Sequence, residues 1–180
     1  MSLLLVIGFF GVLLAILLKG STVSMVDENN KLVYRLKNAM WFQNHWLSGV
    51  FLFIMNGCLF FSSCLALYVL MHFLIPFVHL IVMFVAVIVS IYLWALMNKS
   101  WEGTKRNRLK MAAVGSGFYL VLTFIFVYWL ATLTPSYPEE DTFMRAIGLF
   151  FAIIVASVAS IACFVVTGFS KKENDPFKIK

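Results

Sequence analysis

Apolar residues in this chain do not alternate with polar ones at a short period; they run on for stretches long enough to cross a bilayer. The hydrocarbon core is roughly 30 Å thick, so a helix needs about 20 apolar residues to span it. Ser2 to Leu18 is an uncharged run near that limit. It lacks a basic start and a small-residue cleavage pattern before Lys19, so a retained span is expected rather than a removed signal peptide. Leu47 to Met97 contains no Asp, Glu, Lys or Arg. That run is too long for one crossing and divides near His72 to Pro76, because proline suits the first turn of a helix and disfavours helix just before it. Met111 to Leu133, closed by Pro135 and Pro138, and Ala146 to Phe169 complete the series. The expected fold is an all-α, polytopic helical transmembrane bundle of five spans, at residues 2–18, 48–71, 74–97, 111–133 and 146–169, in a single membrane domain.

Charge placement orients these spans. Basic residues favour the cytoplasmic side of short loops. Lys19, Lys31, Arg35 and Lys37 follow the first span, Lys99, Lys105, Arg106, Arg108 and Lys110 follow the third, and Lys171, Lys172, Lys178 and Lys180 follow the fifth. With five alternating spans all of these share one side. The other side holds Arg145, the acidic run Glu139-Glu140-Asp141 and an uncharged bend. The N-terminus is therefore expected outside and the C-terminus in the cytoplasm, in a bacterial cytoplasmic (inner) membrane.

One segment departs from this pattern. Between residues 29 and 46, Leu32, Leu36, Met40 and Gln43 recur at helical spacing, with Lys31, Arg35 and Asn38 on another side and Trp41 and Trp46 at the end. This predicts a basic amphipathic helix in the headgroup region. The alternative is a β-hairpin of Thr22–Val26 and Leu32–Leu36 turning at Asp27-Glu28-Asn29-Asn30.

Composition agrees with the membrane reading: 62% of the 180 residues are hydrophobic and only 12% charged, where a soluble domain is about a quarter charged. The net charge of +6 lies in the loops that set topology, so direct nucleic-acid contact is not expected. Cys58, Cys64 and Cys163 lie inside apolar runs without metal-ligand or disulfide spacing. His45 falls near one membrane surface, and His72 and His79 near the other, which does not suit a haem held by facing histidines. No nucleophile–base set, phosphate loop or paired carboxylate appears, and no charged residue lies in the core of the spans for an ion-coupled pump to use. The chain is expected to be non-enzymatic, with no cofactor and no metal.

Three constellations remain. In the last span Gly148, Ala152, Ala156 and Ser160 repeat every four residues, a smooth face for close helix packing. In the second, Gly49, Asn56 and Ser63 share a face, with Ser116, Tyr119 and Thr123 on a comparable face of the fourth. Asn56 is the most polar group at mid-depth, and an unpaired amide in hydrocarbon costs several kcal/mol. These faces fit interhelical hydrogen bonding, or the wall of a weakly selective path. Lys105, Arg106, Arg108 and Lys110 form a dense basic run suited to a cytoplasmic partner or anionic lipid. The expected function is a non-catalytic membrane subunit that anchors or regulates a partner. The alternative is a homo-oligomeric pore or channel, in a stress or anti-phage defence setting, and a third reading is a small-solute carrier or redox membrane subunit.

Overall fold

The computed structural model describes residues 30–73, 78–135 and 142–169, so the expected first span, the acidic run and the lysine-rich tail lie outside the described residues. All regular structure described is helical: α1 (Lys31–Lys37), α2 (His45–Phe73), α3 (Val78–Ser100), α4 (Lys105–Ala131) and α5 (Thr142–Gly168). α2 to α5 are four helices long and apolar enough to cross a membrane, which makes this a helical membrane-embedded protein. The expected break near His72 to Pro76 coincides with the interval between α2 and α3.

The helices extend beyond the apolar runs where local chemistry supports them. Thr104 caps α4, its hydroxyl accepting from the Asn107 backbone N–H at 3.4 Å, so the basic run Lys105 to Lys110 forms the helix's first turns. The amphipathic segment is helical only over α1. Asn30 caps it, accepting from Leu32 N at 3.0 Å, and turns replace helix from Asn38 to Asn44. The expected face also shifts. Val33 and Leu36 pack on Ala95 and Leu96 of α3, while Leu32 and Met40 point outward. Residues 32–36 being helical, the hairpin alternative is set aside.

α4 packs along both α2 and α5, and α3 closes the ring by meeting those same two helices over shorter stretches. Among the described residues α2 and α5 make no close backbone approach, nor do α3 and α4, so these pairs are the diagonals of a square bundle. Glycine permits the tightest approach: a Cβ on Gly115 of α4 would fall on the side chain of Leu52, and one on Gly49 of α2 would meet Val114. Van der Waals packing of this kind is the main attraction between helices in lipid.

Full burial is confined to one end. Among the described residues none is buried on α2 after Gly57, on α3 before Trp94, on α4 after Tyr119 or on α5 before Ala156. The buried core, with Phe42, Leu52, Met97, Trp101, Met111, Cys163 and Val166, lies wholly in the half adjoining α1 and the basic loop. Lys31, Arg35, Lys37, Lys99, Lys105, Arg106, Arg108 and Lys110 all belong to this end, and Arg145 alone among the described cations belongs to the other.

Gly115→Ala is expected to overpack the α2–α4 contact and destabilise the protein by about 1–3 kcal/mol. Thermal unfolding in detergent measures it, and adding Leu52→Ala should recover part of the loss. Equal melting of Gly115→Ala and wild type would show that the helices are not this close.

Candidate functional site

Asn56 lies at the centre of the square and is fully buried. Its amide nitrogen donates to the Gly115 carbonyl of α4 at 3.1 Å and to Cys163 Sγ of α5 at 3.6 Å. Its amide oxygen accepts from the Trp94 indole N–H of α3 at 2.9 Å. One side chain on α2 thus binds all three other long helices. Trp94 and Tyr119 meet edge to face across the second diagonal, with ring centroids 6.1 Å apart. The bundle axis is therefore filled at this depth by a carboxamide, an indole, a phenol and a thiol. None of these is ionised at neutral pH, so they can carry hydrogen bonds without the cost of a buried charge.

A second carboxamide secures the basic end. Asn98 of α3 is 2% exposed, and its nitrogen donates to the carbonyls of Val166, Thr167 (3.3 Å) and Phe169 (3.0 Å). Two of these, Val166 and Thr167, are carbonyls that the last turn of α5 leaves without intrahelical partners, and the third follows the helix. Below it the loop between α3 and α4 is cross-tied. Gln43 donates to the carbonyls of Lys37 (3.0 Å) and Ser100 (3.3 Å) and accepts from the Glu102 N–H at 3.3 Å. Lys37 pairs with Glu102 at 2.7 Å, and the Arg108 guanidinium donates to the Trp101 carbonyl at 2.7 Å. The Trp101 indole N–H is buried and meets no acceptor among the described residues. The result is a braced platform on which Lys31, Arg35, Lys105, Arg106 and Lys110 are exposed.

The residues singled out from sequence separate into groups. Asn56 and Ser116 bond between helices, the latter's carbonyl accepting from Ser160 Oγ of α5 at 3.4 Å. Tyr119 is buried in the same centre, and Gly49 sits against Val114. Ser63 and Thr123 instead donate to carbonyls of their own helices, Leu59 at 2.8 Å and Tyr119 at 2.9 Å, and are not brought into the polar centre. On α5, Ala156 and Ser160 are buried, Ala152 is half-buried, and Gly148 is exposed. Of the basic run, Lys105, Arg106 and Lys110 face outward while Arg108 turns in to brace the loop.

Trp94, Cys163, Asn98 and Gln43 were not among the residues singled out for these roles. Trp94 and Cys163 read as ordinary apolar-run residues, and Asn98 was hidden as the last position before Lys99. Its carboxamide at the end of an uncharged run was the one available signal. Among the described residues no cluster of His, Cys, Asp or Glu is placed to hold a metal ion, and Cys58, Cys64 and Cys163 are separate thiols. No family model, curated protein or solved structure matches this chain. Its own geometry is therefore the basis for a functional reading.

Asn56→Leu removes three interhelical bonds and strands the Trp94 N–H in an apolar centre, at a cost of about 0.6–2 kcal/mol per bond. The variant is expected to melt well below wild type in detergent, whereas Ser63→Ala, which loses only a bond within its own helix, should melt close to it. Matching losses in the two variants would argue against Asn56 as the centre of the bundle.

Proposed function

We propose that this protein is a non-catalytic integral membrane subunit whose basic end is a cytoplasmic docking surface for an acidic partner protein. In this reading the chain crosses a bacterial inner membrane five times, with residues 2–18 as the first span, the N-terminus outside and the C-terminus in the cytoplasm. The observation that carries it is the braced platform. A lysine that only sets topology needs no fixed frame. Here Lys105, Arg106 and Lys110 project from a capped helix start whose preceding loop is tied to α1, to the turn before α2 and to Arg108. Pre-organised charge steers an oppositely charged partner and holds its register.

The rival reading is a homo-oligomeric pore acting in stress or anti-phage defence. Against a path within one chain stands the filled centre at Asn56, Trp94, Tyr119 and Cys163. Conduction would have to run between copies, along faces that now meet lipid. A carrier or redox subunit would need a site for its cargo or cofactor, and the polar centre is occupied by its own side chains.

Reversing Lys105, Arg106 and Lys110 to Glu together is expected to reduce recovery of the native partner from crosslinked membranes by about tenfold, the equivalent of ~1.4 kcal/mol spread over three partly exposed pairs. Folding should persist, because none of the three braces the loop. Arg108→Gln should instead lower thermal stability. Liposomes holding the purified wild type should be electrically silent. Retention of the partner by the triple variant, or steady conductance from wild type, would reject the docking reading.

A further inference from the structure

The small-residue face of α5 changes partner along its length. Ala156 and Ser160 are buried, with Ser160 bonded to α4, so the small side chains there serve helix packing. Two turns earlier the same face reaches Gly148, where an added Cβ would meet nothing within 4 Å. A glycine within a helix costs about 1 kcal/mol relative to alanine, and this one brings no neighbour of its own chain closer. Gly148 instead lines a groove of about 650 Å³ between the end of α4 and the start of α5, shared with Trp129, Thr132, Thr134, Arg145 and Leu149. That volume lies in the range of small-molecule sites.

The lining is two-sided in chemistry. Arg145 is the one described cation at this end of the bundle. Its guanidinium offers a planar fork of donors that matches phosphate oxygens. Trp129 is 53% exposed and presents an indole, the ring that best holds an ammonium group by cation–π attraction. Tryptophan at the end of a membrane helix also marks headgroup depth. A ligand carrying both a phosphate and an ammonium engages both groups, whereas a phosphate ester without an ammonium engages Arg145 alone.

We propose that this groove is a binding site for the headgroup of a zwitterionic phospholipid, its phosphate on Arg145 and its ammonium against Trp129, with Gly148 leaving room for the glycerol backbone. The site is at the end of the bundle opposite the basic platform and is independent of what docks there.

The test uses full-length protein stripped of lipid in detergent, with binding followed by native mass spectrometry and calorimetry. The probes are short-chain phosphatidylethanolamine, short-chain phosphatidylglycerol and inorganic phosphate. Wild type is expected to bind one phosphatidylethanolamine at least about tenfold more tightly than phosphatidylglycerol, and to bind inorganic phosphate not measurably. Arg145→Gln removes a charge-assisted contact and should weaken phosphatidylethanolamine by about tenfold or more. Trp129→Leu should reduce the preference for the zwitterion. Gly148→Leu places a side chain in the groove from a position where the added Cβ meets no neighbour, so it should abolish binding without lowering the melting temperature, and it serves if Arg145→Gln is unstable. Unaltered phosphatidylethanolamine binding by Gly148→Leu would overturn the site. Phosphatidylglycerol or inorganic phosphate binding as tightly as phosphatidylethanolamine would overturn the assignment of its ligand.

Discussion

An amide surrounded by hydrocarbon has no water to fall back on, and the arrangement of this bundle follows from how Asn56 meets that constraint. Its two donor protons and one acceptor are directed to three different helices. Each bond alone is modest by the measure of membrane proteins, because a chain opened within lipid also finds other partners. Their convergence on one side chain makes them dependent on one another. Moving any one helix away strands a polar group, so the four helices are tied at one depth. Apolar packing then fills in around that level: Leu52 against Gly115, Phe118 against Phe53 and Phe60, Trp94 against Tyr119.

From that level the two ends diverge in character. Toward the basic end, side chains are buried and loops are tied by hydrogen bonds to backbone carbonyls, with Asn98 and Gln43 acting as bridges between elements distant in sequence. Toward the opposite end, Phe61, Phe84, Phe124 and Tyr128 are all more than 60% exposed and meet lipid or other protein. Lipid solvates such side chains as well as protein does, so open packing there carries no hydrophobic penalty. A well-braced end and a looser end are compatible in one small chain, because the membrane lets one half go without a core.

Hydropathy made the four described spans legible, since hydrocarbon solvates a helix of any sequence that is apolar for long enough. Their ends were less legible. α4 begins six residues before its apolar run because Thr104 caps it, and basic side chains are good helix formers at a water boundary. Asn56 stood out because no other carboxamide lies at mid-depth, but its partners did not: a tryptophan, a cysteine and a glycine carbonyl leave no polar pattern in an apolar run. Arg106 and Arg108 are equivalent by composition, and only the turn of α4 sends one outward and the other to the Trp101 carbonyl. The segment at α1 misled by a different route. A short helix packed on α3 is apolar on two sides, and periodicity cannot tell which side the protein takes. Leu32 and Met40 face outward, and Val33 and Leu36 are the residues that pack.

The α5 repeat shows why a sequence pattern in a membrane helix does not carry a single meaning along its length. Small residues lower the steric barrier to approach, but they do not supply the approaching group. At Ser160 that group is α4, whose Ser116 carbonyl accepts from its hydroxyl, and the Asn56 bonds hold the two helices in place about one turn away at Cys163 and Gly115. At Gly148 the tie is several turns distant and the facing surface is no longer buried. The same four-residue spacing therefore yields a helix contact where a polar anchor enforces proximity and a groove where it does not. The anchor, more than the stripe, decides where this bundle is closed.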